Sequence, residues 1–252
     1  MEMNETTRSG INSTIDDYCI VLTSTIYVNL CKYHVYVTDP NERLQTYLQS
    51  IKKWLDKSNF KIVLIDNSGY TFPELNDYID KYKERFEIVS FVEKDIDLDD
   101  FDRAGALELT SDEHHMYTSK GTSEMFAIFY GCQKSTLIYK CRSKFVIKIT
   151  GRYFVNELEN FLKDVNPDDY SVLRQNDPDR CEIVGCHVNV FSQIFMPAYF
   201  ITNDGMGGHH HVENLYKYRL LTNIPEERIL VCDKFEIDPT PIGGSCGIKT
   251  EL

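Results

Sequence analysis

Lys144-Phe-Val-Ile-Lys-Ile-Thr-Gly-Arg-Tyr-Phe-Val155 is a run of strand-forming residues that stops abruptly at Thr150-Gly151-Arg152-Tyr153. Phe145, Val146, Ile147 and Ile149 are β-branched or aromatic, as a central strand requires, and Lys148 interrupts them where a charge needs a partner. Chemistry in α/β proteins gathers at such strand ends. Gly151 allows a close backbone approach, and Arg152 supplies a planar fork for carboxylate or phosphate. Taken alone, this strand end reads equally well as a structural cation paired with an acidic neighbour. The rest of the chain shifts the balance towards an anion site.

Upstream, Tyr18 to Val28 reads as a buried first strand ending in the hydroxyls of Thr23, Ser24 and Thr25. Asp39-Pro40 opens a helix whose Leu44, Tyr47, Leu48, Ile51, Trp54 and Leu55 recur at three and four residues. Phe60 to Asp66 is a second strand, turned by Asn67-Ser68-Gly69. A helix over Pro73 to Arg85 and a short strand over Phe86 to Val92 follow. The order β-α-β-α-β gives an α/β, Rossmann-like fold, a central and mostly parallel twisted sheet covered by helices on both faces. Between Glu93 and Met116 the pattern lapses into an Asp-rich insertion or lid, and Lys120-Gly121 then stands at the start of a helix. Downstream of the central strand come a helix around Asn156 to Leu162, strands near Tyr170 to Arg174 and Cys181 to Val190, a helix over Val212 to Leu221, and a Pro/Gly tail from Pro239 to Gly247.

The 252 residues read as a mobile arm, 1–16, followed by one domain, 17–252. A net charge of −12 leaves no basic field for a nucleic-acid backbone, so any phosphate must be met locally. Mean hydropathy is −0.35, and no apolar run nears the roughly 20 residues that span a bilayer. These features point to a soluble protein in the cytoplasm. Eight cysteines without a CxxC pair favour buried free thiols over a disulfide framework or a zinc site.

Four polar loops fall at strand ends or helix starts and converge on one crevice of a parallel sheet: Thr23 to Tyr27, Asp66 to Gly69, Lys120-Gly121 and Thr150 to Tyr153. Thr23, Ser24, Thr25 and Tyr27, with Asn67, Ser68 and Gly69, suit a sugar or nucleotide, and Asp66 is placed to accept from a ribose or base. Taken alone, Asp66 to Gly69 is an ordinary Asx turn. Lys120, backed by helix N–H groups, makes a seat for a diphosphate, to which Lys148 and Arg152 add two cations. Two weaker patterns suit a metal: Asp95 with Asp97 for Mg²⁺ or Mn²⁺, and the cluster containing His209 and His211 for a transition metal such as Mn²⁺. His187, within a strand, reads as structural.

Leu22-Thr-Ser-Thr-Ile-Tyr-Val28, Ile65-Asp-Asn-Ser-Gly69, Ser119-Lys-Gly-Thr-Ser-Glu124, Lys148-Ile-Thr-Gly-Arg-Tyr-Phe154, Cys181-Glu-Ile-Val-Gly185 and Val212-Glu213 together resemble the nucleotide-diphosphosugar transferase fold of the GT-A glycosyltransferases. They resemble more closely a group of small glycosyltransferase-like proteins of large DNA viruses and some microbes, which would place a viral member in the host cytoplasm. The resemblance implies a nucleotide-diphosphate-sugar donor over the first two strand ends, with Thr23, Thr25 and Asp66 near the nucleoside, and a glycan or other hydroxyl acceptor. The metal-binding Asp-x-Asp usual in that fold is missing where the strand ends in Lys148-Ile-Thr-Gly-Arg152, so protein cations take over the neutralisation of the leaving diphosphate. Glu213, in the first turn of its helix, is then the catalytic base, and the transfer is inverting. Two alternatives stay open: an inactive nucleotide-sugar-binding protein of the same fold, and a nucleotidyltransferase, against which the absence of glycine from Thr23 to Tyr27 counts.

Overall fold

Strand parity divides the molecule into two cores. Along β1 (Tyr18–Ser24), Tyr18, Ile20 and Leu22 face one way and Cys19 and Val21 the other, since successive side chains point to opposite faces. The first face is covered by α1 (Pro40–Lys57) and α2 (Asn76–Lys81). The second lies under α3 (Lys120–Lys134) and α4 (Thr136–Lys140). The computed structural model describes residues 15–30, 35–96, 120–140, 143–197, 212–242 and 246–252.

The sheet also contains β2 (Lys61–Asp66), β3 (Phe86–Ser90), β4 (Phe145–Thr150), β5 (Val172–Arg174), β6 (Ile183–His187) and β7 (Ile229–Val231). Its strand order is β3-β2-β1-β4-β6-β5-β7, parallel except for β6, which runs antiparallel to both neighbours. The expected mostly parallel sheet with helices on both faces is therefore present. The chain winds outward from β1 to β3, then crosses to the other side of β1 to lay down β4. This makes the carboxyl ends of β1 and β4 a topological switch point, the place where open α/β sheets leave a crevice.

Helix α1 forms where its pattern predicts. The Asp39 side chain accepts from the Asn41 N–H at 2.9 Å, Pro40 occupies the first turn, and the apolar stripe from Leu44 to Leu55 is buried. Trp54, fully buried, donates from Nε1 to the Tyr153 carbonyl at 2.9 Å, which fixes the loop after β4 against this helix.

Several boundaries differ from expectation. The helix expected over Pro73 to Arg85 is a 3-10 turn, Pro73–Leu75, followed by α2, which ends at Lys81. The strand expected over Cys181 to Val190 is β6 alone, followed by a 3-10 turn and α6 (Phe191–Phe195); between β4 and β5 lies the short helix α5 (Leu158–Leu162). Helix α7 covers Val212–Asn223. The Pro/Gly tail is a hairpin of β8 (Glu236–Pro241) and β9 (Ile248–Glu251), because Phe235, Ile237 and Leu252 give it apolar residues to bury in the first core. Ile15–Asp17, the end of the expected arm and start of the domain, is a 3-10 turn; the remainder of the arm and most of the Asp-rich insertion lie outside the described residues. Of the described cysteines, none is in a disulfide; five are buried and Cys246 is exposed. No helix among the described residues is long and apolar enough to cross a membrane.

Candidate functional site

At the switch point lies a cleft of about 410 Å³. Its floor is Thr23 and Ser24 of β1 with Thr25 just beyond, and Thr150 of β4 with Arg152 and Tyr153 just beyond; α3 contributes Lys120, Ser123 and Glu124, and α7 contributes Glu213. Because β6 is antiparallel, its start rather than its end faces the cleft. This brings in Cys181 and Glu182, the latter accepting from the Thr150 N–H at 3.1 Å. The hairpin closes the opposite wall with Ile242 and Lys249.

Lys148 is fully buried on β4, and parity turns it towards α3 together with Val146. Its ammonium donates to Glu124 Oε1 at 2.7 Å, to the Cys181 carbonyl at 2.8 Å and to Thr150 Oγ1 at 3.4 Å. All three hydrogens are thus used within the protein, which corrects the expectation that Lys148 meets a ligand phosphate. The lone charge in a strand found its acidic neighbour. Burial alone would raise the Glu124 carboxyl, but Lys148, the nearby Lys120 charge and the Thr23 hydroxyl at 3.3 Å outweigh it and hold the group below the usual range. Burial in turn pulls the Lys148 ammonium down, and Glu124 reverses the sign, so the pair is ionised.

Asp66 is also corrected. It is fully buried, and its carboxylate accepts from Ser68 N–H (2.8 Å), Ser68 Oγ (2.6 Å), Tyr70 N–H (3.1 Å) and Ser24 Oγ (2.9 Å). The Asx-turn reading describes it, and Asp66 is not among the residues that line the cleft. Ser68 Oγ also accepts from the Ile26 and Tyr27 N–H groups, tying the two loops together. Asn67 reaches the cleft wall but is committed as well: it takes Thr25 Oγ1 at 2.6 Å and donates to Glu93 and Ser123.

The glycines are packing devices. Gly69 sits at φ +84° in the turn, and a Cβ on Gly121 would come within 2.9 Å of Val212, where α3 and α7 meet. A Cβ on Gly151 would lie 2.5 Å from the Thr23 carbonyl, to which its own N–H donates at 2.9 Å; β1 is what Gly151 approaches. Tyr27 is exposed and packs edge-on against Tyr70 outside the cleft lining.

Two expected cations do face the cleft. Lys120 is exposed to it, and among the described residues nothing hydrogen-bonds or pairs with its ammonium; desolvation by the surrounding walls lowers the group, with Glu124 opposing and Arg152 and Arg43 adding to the fall. Arg152 has its Nε buried without a partner among the described residues and its Nη1 only 3.5 Å from the Pro241 carbonyl. Arg152 and Arg43 each lie 5.8 Å from the centroid of the Tyr47 ring. Arg43 differs in being anchored, donating to the Thr25 and Val37 carbonyls at 2.6 and 2.9 Å.

Glu213 lines the cleft from the first turn of α7. Burial, against the pull of Lys148, raises the neighbouring Cys181 thiol, and the charges of Glu124 and Glu213 add to the rise. Lys249 pairs with Glu182, yet burial, reinforced by Arg180, draws its ammonium down to about 8. Asp95 is exposed in a 3-10 turn and away from the cleft lining; Asp97, His209 and His211 lie outside the described residues. Among the described residues no three His, Cys, Asp or Glu side chains gather as a metal would need. His187 caps a 3-10 turn through Asn189 N–H and lies 3.4 Å from Asp168.

Glu124 is the residue that motif reading passed over. It is the sole charged side chain between Lys120 and Lys134 in an otherwise largely apolar helix, and a buried Lys148 on the facing strand was the cue to seek it. Nothing local marked Arg43, Tyr47, Glu182 or Lys249, which tertiary contact alone brings to the cleft.

Comparison with known proteins adds little. No family model and no curated protein matches this chain. Among solved structures it is similar to a proposed nucleotide-diphospho-sugar transferase from Desulfovibrio desulfuricans G20, at a TM-score of 0.44 and 11% identity over 86% of this chain and 80% of that one. So slight a likeness fixes neither a family nor an activity.

Proposed function

We propose that the cleft binds a nucleotide-diphosphate sugar and that the protein, a GT-A-like glycosyltransferase, passes the sugar to a hydroxyl acceptor such as a glycan. The observation that carries this reading is the pair Lys120 and Arg152, two cations open to one cleft without a carboxylate salt-bridge partner among the described residues, in a chain of net charge −12. Such cations cost free energy unless an anion completes them. Their position at the switch point of a largely parallel sheet is where such folds place nucleotides.

Charge develops on the diphosphate as the glycosidic bond breaks, and preorganised cations stabilise it more in that transition state than in the bound donor. Lys120 and Arg152 serve that role in this reading. Glu213 takes the proton of the acceptor hydroxyl. Attack from the face opposite the leaving diphosphate inverts the anomeric carbon.

A thermal-shift series with UDP-, GDP- and dTDP-sugars, each with Mn²⁺ and with EDTA, tests the binding half, since a ligand of the folded state raises stability by mass action. At least one sugar nucleotide is expected to stabilise the protein, equally in both conditions. Donor turnover in the presence of sugar acceptors tests the transfer. Stabilisation without turnover would convert the reading to that of a binding protein, and no stabilisation by any donor would remove it.

A further inference from the structure

The charged groups of the cleft are arranged in sequence. Lys120 has Arg152, Tyr47 and Arg43 as its electrostatic neighbours, Lys148 has Cys181 and Glu213, and Glu124 belongs to both sets. A sugar being transferred has to lie between the leaving diphosphate and the base. If the first set holds the diphosphate and the second contains the base, Glu124 borders the sugar.

The carboxylate is built to accept. Its Oε1 is taken by Lys148 at 2.7 Å and Thr23 at 3.3 Å, whereas Oε2 has no hydrogen-bond partner among the described residues and the side chain remains 20% exposed. The neighbouring charges keep the group ionised and so make it a poor proton acceptor for catalysis but a strong hydrogen-bond acceptor. A pair serving stability alone would do as well with both oxygens satisfied in the protein, and a free carboxylate oxygen repels phosphate. Hydroxyl groups are what such an oxygen favours.

We propose that Glu124 is a specificity-determining residue whose Oε2 accepts hydrogen bonds from hydroxyls of the transferred sugar, with Lys148 as the residue that positions it. This rests on the reading of the cleft as a donor site. It adds a demand of its own: the sugar, and not the nucleotide alone, is gripped through a charged acceptor.

The test compares, by calorimetry on the full chain, UDP-glucose with UDP and GDP-mannose with GDP. In the wild type one sugar nucleotide is expected to bind more tightly than its nucleoside diphosphate. Glu124→Gln should lower that sugar-dependent gain by about ten- to a hundredfold, the range for a hydrogen bond to a charged group, while changing nucleoside diphosphate affinity by no more than about threefold. Should the variant fail to fold, the 2-, 3-, 4- and 6-deoxy forms of the same donor on the wild type serve instead, and at least one should lose about tenfold or more. The inference is overturned if Glu124→Gln keeps the full gain or if every deoxy donor binds like its parent. Binding of UDP or GDP with no contribution from the sugar sinks this inference and leaves the donor site standing. If a dTDP-sugar alone stabilises the protein in the thermal-shift series, dTDP-glucose and dTDP replace these pairs; binding of no donor in either experiment removes the donor site and this inference with it.

Discussion

Lys148→Met isolates the buried ion pair from every question of function. The ammonium is fully buried and has three acceptors, at 2.7, 2.8 and 3.4 Å. Breaking a buried pair by removing one partner costs roughly 3–5 kcal/mol because a charge is left behind without compensation. Here Glu124 is 20% exposed and keeps the Thr23 hydroxyl and the Lys120 charge, which places its share at about 2–3 kcal/mol. The Cys181 carbonyl loses its donor, adding about 1 kcal/mol. A total of about 3–4 kcal/mol, at roughly 2–4 °C per kcal/mol for a chain of this size, lowers Tm by about 10 °C. The double variant Lys148→Met/Glu124→Gln leaves no stranded charge and should recover at least about 2 kcal/mol of that loss in a urea-unfolding cycle.

The pH dependence supplies a second readout. In the wild type the depressed Glu124 carboxyl contributes stability that is present above its unfolded value and lost as pH falls through the folded one. Without Lys148, burial has less opposition and the carboxyl rises. The protonated form then fits the folded state better, so the gap between variant and wild type should narrow as pH is lowered. Strict additivity of the two substitutions, or a gap that widens in acid, would refute the description of this pair as mutually dependent charges.

Lys120→Met and Arg152→Met should each weaken UDP or GDP binding about tenfold and flatten its salt dependence, as seen by calorimetry at two ionic strengths; unchanged affinity in both variants would contradict the diphosphate assignment. Asp66→Ala should cost about 2–3 kcal/mol in urea unfolding, since it strands two backbone N–H donors and two hydroxyls, while a folded fraction of the variant retains donor affinity. Glu213→Gln is expected to lower turnover by about a hundred- to ten-thousandfold with donor affinity nearly intact, and wild-type turnover would take the base assignment away.

Most of the sheet was legible because burial on both faces writes near-continuous apolar runs, as in Cys19 to Leu22, Ile62 to Ile65 and Phe145 to Ile149, and because α1 carries a cap, a proline and a full stripe. The hairpin was not. Thr240 and Pro241 read as tail because β8 carries prolines and is recognised only by the partner strand and the core residues Phe235 and Leu252 that it meets. The orientation of β6 was equally hidden, since a run of four apolar or small residues, Ile183 to Cys186, looks the same in either direction.

Sequence by itself determined that a buried strand carries a lysine needing an anion, that Gly151 permits a close approach and that Asp66 stands in a turn. It could not say which anion. That decision belongs to parity and register: Lys148 shares a face with α3, so it meets Glu124 instead of solvent, while Asp66 meets the donors of its own turn and of Ser24. Lys120 and Arg152 were open to either reading on the same local grounds, and only the packing of α3, α1 and the hairpin around the ends of β1 and β4 left them facing the cleft. A charged side chain states a requirement locally, but what satisfies it can be set by neighbours tens of residues away, because desolvation and Coulomb energy depend on distance in space and not along the chain.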